Sequence, residues 1–300
     1  MPEPQATTNK NEILKKKEDK KLKEIITQNS TTKKNIFSSR RFTLATTGVG
    51  LISIGSIYGL QKVWYAEENQ SSFHLFNDSK NWMQMDKMGH AFTVYQLTRS
   101  MKHLYNWTGL NHKKSLYTAV SISMGYLTAI EILDGFSEDW GFSMSDLAFN
   151  TLGMGLFIFQ DHYFSSQIFK PKFSFHQTRF AALRPDVLGS NPIEALLKDY
   201  NGQTYWLSFS PGQLGVKQWP NWLMLSLGHS IRGRLKGDAN SFGGIDSHRE
   251  LILSLDIDLS QINVKSKFLK GFLEALNTLK LPFPSILFSN GKVIARPLYF

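Results

Sequence analysis

The sequence predicts an α+β architecture behind an N-terminal transmembrane anchor, on three observations. Phe42 to Leu60 carries no charge and directly follows Arg40-Arg41. Between Asp86 and Phe164 lie three apolar segments of helical period, each interrupted by polar residues three or four apart. Beyond Lys170 the texture changes to period-two alternation with turn signals and one amphipathic helix. The layout expected is a basic tail over 1–41, an anchor over 42–65, a helical bundle domain with a buried polar cluster over 73–169, and a small C-terminal module over 170–300 with an antiparallel sheet and a helix.

Residues 1–41 hold eleven Lys and Arg against five Asp and Glu, which is most of the formal charge of +10. The run Lys15-Lys16-Lys17-Glu18-Asp19-Lys20-Lys21 has too little apolar content to pack, so it reads as a solvated, disordered cytoplasmic tail. No aromatic residue precedes Phe37, and the chain shows no nucleic-acid-binding motif, so nucleic acid is not an expected partner.

The uncharged segment is close to the roughly 20 residues that a bilayer span needs. The positive flank puts the N-terminus in the cytoplasm and the bulk of the chain in the periplasm of a bacterial cell membrane. Trp64 and Tyr65 fall where interfacial aromatic anchors belong. Gly55 and Gly59 form a small-xxx-small pair suited to a helix–helix partner. A cleaved signal peptide ending at Ala66 would put Trp64 at position −3, a poor choice. Cysteine is absent, which excludes disulfides, thiol nucleophiles, Cys-ligated metal and a lipidated cysteine.

Helices are expected over Asp86 to Trp107, Ser115 to Leu133 and Ser143 to Phe164. In the last third, Asn191-Pro192 opens a short capped helix, and Tyr205–Phe209 and Trp222–Leu227 read as strands. Glu250 to Leu259 alternates, with Leu251, Leu253 and Leu255 on one side and Ser254, Asp256 and Asp258 on the other. Ser266 to Lys280 is an amphipathic helix. Asn290-Gly291 between Ile286–Ser289 and Lys292–Ala295 is a type I′ hairpin signal. An outer-membrane barrel is disfavoured, because about five visible strands fall short of the minimum of eight.

The chemistry sits in the helices. Asp86, His90, Glu131, Asp134, Ser137, Asp146 and Asn150 form the candidate ligand-binding set, since polar groups projecting from apolar helices must find partners. Asp86, His90, Glu131 and Asp134 are the metal-ligand candidates, and His90, Glu131 and Asp146 the catalytic ones. Oxygen donors with one imidazole suit Mg²⁺, Mn²⁺, Ca²⁺ or Zn²⁺. Local structure competes for several of them: Asp86 stands where an N-cap belongs, Gly89 suits close approach of a neighbouring helix, and Ser143-x-x-Asp146 matches a capping box. His90, Glu131 and Asn150 are the three that capping does not explain.

Asp86-Lys87-x-Gly89-His90, Glu131-x-x-Asp134-Gly135-Phe136-Ser137, Ser143-x-x-Asp146 and Asn150-x-x-Gly153 resemble the YfiM-like family of predicted periplasmic lipoproteins, a domain of unknown function, over residues 73 to 165. The order is distantly similar to VanZ-like membrane proteins. The resemblance implies a cell-envelope protein and brings no activity with it. Three functions stand open from sequence: binding of a lipid-linked or cell-wall ligand, metal-assisted hydrolysis of such a substrate, and an envelope scaffold whose cluster only locks helices.

Overall fold

The computed structural model describes residues 36–64, 70–164 and 166–299. The tail over 1–35, Tyr65, Ala66 and the terminal Phe300 lie outside the described residues, as does the Trp64 side chain.

Helix α1 (Ser39–Trp64) buries only Ala45 among its described side chains and leaves Leu51, Ile52 and Ile54 open. It is long and apolar enough to cross a membrane by length and composition. It touches the bundle through Thr46 Oγ1 to Tyr105 Oη at 3.1 Å and Ser56 Oγ to Tyr126 Oη at 2.8 Å. Nothing within 4 Å meets a Cβ built on Gly55 or Gly59, so that face meets no described part of this chain.

Helices α2 (Met85–Trp107), α3 (His112–Asp134) and α4 (Met144–Tyr163) form the bundle. Asn111 caps α3 by accepting from the Lys114 amide at 2.8 Å, and Ser143 caps α4 by accepting from Asp146 at 3.1 Å. Helix α3 also passes the length-and-composition criterion for a span, but it buries an i, i+4 stripe of Ser115, Ala119, Ser123, Leu127 and Glu131. Helix α4 buries Asp146, Asn150, Gly153, Phe157 and Gln160. The facing surfaces are therefore small and polar, which lets backbones approach. A Cβ on Gly153 would lie 2.1 Å from the Ala91 carbonyl oxygen, so glycine is required where α4 crosses α2.

The C-terminal module is a six-stranded antiparallel sheet in the order β1 (Lys170–Phe175), β2 (Gln203–Phe209), β3 (Leu223–Arg232), β6 (His248–Ile257), β7 (Phe283–Ser289), β8 (Lys292–Tyr299). A separate two-stranded pair, β4 (Ser241–Phe242) and β5 (Ile245–Asp246), lies between β3 and β6. Short helices α5 (Pro185–Leu188) and α6 (Pro192–Lys198) link β1 to β2, and α7 (Lys267–Leu276) links β6 to β7. The hairpin forms as its turn chemistry dictates: Ser289 pairs with Lys292, and Asn290 and Gly291 have φ of 48° and 73°. Strand β1 has no signature in the sequence, β8 runs on to Tyr299, and α7 stops short of Lys280. The strands β1 and β8 are the edges of an open sheet, which departs from the closed-barrel alternative.

The sheet has an unusual polarity. Its buried side carries Ser174, Thr204, Ser208, Ser226, Ser230, Ser254 and Asp256, whereas Leu207, Leu227, Leu253 and Ile286 stand exposed on the other. The polar side is internally satisfied. Lys172 and Asp256, both fully buried, pair at 2.7 Å; Lys170 reaches Asp258 at 2.7 Å; Ser208 and Ser226 share a 2.7 Å hydrogen bond. The Trp206 indole donates to Ser174 at 2.9 Å, while Tyr299 from β8 packs edge-on against it at 5.8 Å. A β8 side chain touching a β2 side chain shows that the sheet curls around this polar interior.

Candidate functional site

One end of the bundle gathers the polar residues of all three helices. Asp86 and His90 come from the first turns of α2, Glu131 from the last turn of α3, and Asp146 and Asn150 from the first turns of α4. The chain enters α2 through three consecutive left-handed residues, Trp82, Met83 and Gln84, with φ of 47°, 50° and 63°. Gln84 is thus the residue at the cap position, and Asp86 is in the first turn with its carboxylate free for other partners, contrary to the N-cap reading.

The centre of the cluster is Lys87, 1% exposed. Its Nζ lies 2.5 Å from Asp78 Oδ2, 2.7 Å from Asp146 Oδ1 and 3.1 Å from Asp86 Oδ2. Asp78 comes from the segment preceding α2, and its other oxygen accepts from Ser143 at 2.5 Å and Ser145 at 2.8 Å. The C-terminal module also contributes: Tyr200 donates to Asp86 Oδ1 at 3.0 Å. Gly89 makes room for the Tyr205 ring of β2, since a Cβ there would stand 2.9 Å from its hydroxyl. The close neighbour at Gly89 is therefore a strand tyrosine, not a helix.

His90 faces two ways. Its Nδ1 is 3.2 Å from Asn150 Oδ1, an acceptor, which assigns the ring proton to Nδ1 when the imidazole is neutral. Its Nε2 then points at three carboxylates, with Glu131 Oε1 at 3.5 Å, Asp86 Oδ1 at 3.8 Å and Asp146 Oδ1 at 3.9 Å. None of these is within hydrogen-bonding distance. Glu131 is fixed from its other oxygen, which accepts from the Ser143 amide at 3.4 Å. Its Oε1 and the Asn150 Nδ2 are buried with no hydrogen-bond partner among the described residues.

The charge balance follows from this geometry. Four carboxylates (Asp78, Asp86, Glu131, Asp146) share Lys87 and His90 as cations, and Asp134 lies close enough to Asp146 to feel its charge. Burial, reinforced by Asp146 and Asp86, pushes Glu131 up to about 7 against the pull of His90. Burial and then Asp146 push Asp134 up to about 7. Asp146 is likewise raised, by burial and by Asp86. Burial opposes the charged form of His90, but the surrounding carboxylates outweigh it and hold its pKa above the ordinary value. Lys87 is raised in the same way, its burial overcome by Asp86 and Asp146. Asp78 goes down despite burial, through its bonds to Lys87 and Ser143.

A divalent ion fits this donor set. Ligands about 2.0–2.3 Å from an ion sit roughly 3–4 Å from one another at tetrahedral or octahedral angles, the separations seen around His90 Nε2. One ligand atom each from Asp86, His90 and Asp146 lies within 4.8 Å of the others. The Nδ1-to-Asn150 contact is of the kind that would orient His90 toward an ion held at Nε2. Asp146 Oδ1 is shared with Lys87, so an ion there would compete with the lysine for it.

Of the residues that the sequence singles out, Asp86, His90, Glu131, Asp146 and Asn150 converge. Asp134 is half-buried one turn beyond Glu131, close enough to Asp146 for their charges to interact. Ser137 is buried in the loop after α3, where its backbone bridges to Gln70. Lys87, Asp78, Ser145 and Tyr200 were not among the candidates. Lys87 carries a legible signal, a lysine beside an aspartate one turn before His90; Asp78 and Tyr200 have none, because only the fold brings them in.

Residues 74–162 match the model of a family described as predicted periplasmic lipoprotein (DUF2279). The match covers the three bundle helices and every carboxylate of the site, and it supports an uncharacterised periplasmic family and a cell-envelope setting. These 300 residues hold no cysteine, so the lipid attachment in that description has no thiol here. No curated protein and no solved structure matches the chain.

Proposed function

We propose that this is a membrane-anchored envelope protein whose bundle binds a divalent cation through His90 Nε2, Asp86, Glu131 and Asp146. In this reading the cation holds an anionic group of a lipid-linked or cell-wall ligand. The observation that carries it is the buried, unpartnered Glu131 Oε1 opposite a histidine nitrogen that meets carboxylates only beyond hydrogen-bond length. An unsatisfied buried carboxylate oxygen is costly, and a bound cation removes that cost. Asp86 and His90 keep 26% and 16% of their side chains exposed, which gives a ligand a way in.

A hydrolytic use of the same site draws support from Glu131, whose pKa of about 7 suits a general base at neutral pH. A purely structural role draws support from Lys87, which ties Asp78, Asp86 and Asp146 together. Metal analysis and calorimetric titration with Zn²⁺, Mn²⁺ and Mg²⁺ on the full chain in detergent separate the readings. The expected result is one equivalent of ion in the native protein, lost in His90→Ala and Glu131→Gln and kept in Ser137→Ala. Folded native protein that takes up no ion between pH 6 and 8 would overturn the proposal and leave the structural role.

A further inference from the structure

On the outward face of the sheet the apolar residues stand in register. Leu207 pairs with Leu227, Leu227 with Leu253, and Leu253 with Ile286. One row over, Leu251 pairs with Phe288 and Phe288 with Val293. The opposite side of the sheet holds its own buried apolar cluster of Trp206, Ile252 and Leu287 beside the polar set, so this exposed apolar face is not the sheet's core. Part of the face is already covered: Phe92 of α2 packs on Phe173 and Tyr205 at 5.8 Å from each. The rest is open.

Where the covered part ends, a groove of about 740 Å³ runs between the helices and the sheet. Met88 and Phe149 line it from the helices, and Leu251, Phe288 and Val293 from the strands. Its size lies within the roughly 300–1,000 Å³ typical of small-ligand sites. The same groove is bordered by Arg249, His229 and Lys292. The guanidinium of Arg249 donates to neutral groups only among its described hydrogen bonds: the Met83 carbonyl at 2.7 Å, the His229 ring and the Gln84 side chain. Met83 and Gln84 belong to the left-handed run before α2, so the chain adopts a disfavoured backbone where it holds this arginine.

We infer that this groove binds one acyl chain of an anionic phospholipid, with Arg249 and Lys292 on the phosphate. An apolar trough with cations at its border is complementary to a molecule with an apolar tail and an anionic head. The in-register rows beyond the groove continue the apolar surface, and α1 is a helix of membrane-spanning length in the same chain. This site is separate from the carboxylate cluster: Gln84 and Met88 line the groove, while Asp86 meets Lys87 and Tyr200, and His90 meets Asn150 and Glu131.

The absence of cysteine makes a clean test available. Val293→Cys in the full chain, labelled with bimane in detergent, reports on the groove; Leu207→Cys reports on the far strand of the same face. Phosphatidylglycerol with brominated acyl chains should quench the label at 293 saturably, at one lipid per protein, and at least five-fold more tightly than brominated phosphatidylcholine. Arg249→Gln with Lys292→Gln should abolish that preference, and Leu251→Trp should weaken quenching by both lipids. The label at 207 should show no saturable quenching. Equal, unsaturable quenching at both positions would mean bulk lipid around an apolar face and would overturn the proposal. So would displacement of the lipid by inorganic phosphate at similar concentrations, or a second copy covering position 293 in place of lipid.

Discussion

Glu131→Gln gives the sharpest test of the charge balance at the site. Glu131 is 1% exposed, and its pKa is raised from 4.5 to about 7, chiefly by burial. The folded protein therefore holds a proton that the unfolded chain has already lost above pH 4.5. Stability from this group is full below that pH and drains away as pH rises through about 7. A difference of about 2.5 pH units at 1.36 kcal/mol each gives a ceiling of about 3 kcal/mol. Attraction to protonated His90 and coupling to Asp146 reduce it, so about 1–3 kcal/mol is expected. Glutamine is neutral at every pH, and its carbonyl can still accept from the Ser143 amide. The variant should therefore be the more stable protein at pH 8 in a chelator.

For a folded unit of this size that amounts to roughly 2–12 °C in Tm, at about 2–4 °C per kcal/mol. Circular dichroism melts in detergent with EDTA, from pH 5 to 8.5, provide the assay. The two Tm curves should converge near pH 5 and separate toward pH 8 with the variant above. Added Mn²⁺ or Zn²⁺ should raise the native protein and leave the variant unmoved, because the ion supplies the charge that the substitution made unnecessary. A variant less stable than the native protein at pH 8 in EDTA, or parallel curves, would refute the reasoning: Glu131 would then be a satisfied carboxylate.

Three further outcomes follow from single contacts. Lys87→Met leaves Asp78, Asp86 and Asp146 without their shared cation and should cost about 3–5 kcal/mol, as removal of one member of a buried ion pair does; denaturant melts should show the loss shrinking as pH falls and Asp146, whose pKa is raised, takes up a proton. In the sheet, Lys172→Met or Asp256→Leu alone should cost about as much, while the double replacement recovers most of the loss; a double-mutant cycle by urea unfolding checks it, and additive costs would show that the pair is not coupled. Gly153→Ala forces a Cβ onto the Ala91 carbonyl and should cost about 1–3 kcal/mol by overpacking, read as a lower Tm with α2 and α4 splayed; an unchanged Tm would mean that the two helices are looser than described.

Much of the bundle site was legible because helices translate spacing into direction. His90 and Asp86 are one turn apart on α2, and Asp146 and Asn150 one turn apart on α4, so each pair projects together. Glu131 ends an apolar stretch where an acid opposes the helix dipole, and that anomaly signals a partner. Capping was legible at Ser143, where the hydroxyl does accept from Asp146. It was misleading at Asp86, because the left-handed run before α2 shifts the helix start by two residues. Asp78 and Tyr200 come from 8 residues before and 114 after Asp86, and no local pattern encodes such meetings. Their contacts still have a consequence: Tyr200 Oη on Asp86 Oδ1 leaves that oxygen one fewer lone pair for an ion. Tyr200→Phe should therefore tighten cation binding where loss of any carboxylate weakens it.

Strand alternation carries a different ambiguity. Leu251, Leu253 and Leu255 on one side of β6 and Ser254, Asp256 and Asp258 on the other define two faces without saying which is inside. The ordinary rule would bury the leucines. Here Asp256 and Asp258 are fully buried, each paired with a lysine, and Leu251 and Leu253 are about half exposed. Two buried ion pairs do not stabilise a core better than leucines would, because desolvation offsets most of their attraction. Curling of the sheet hides the charges together with Trp206, Ile252 and Leu287, and turns the rows of Leu207, Leu227 and Leu253 and of Leu251 and Phe288 outward. An apolar surface of that kind is what the acyl chain inferred for the groove beside Phe288 would cover.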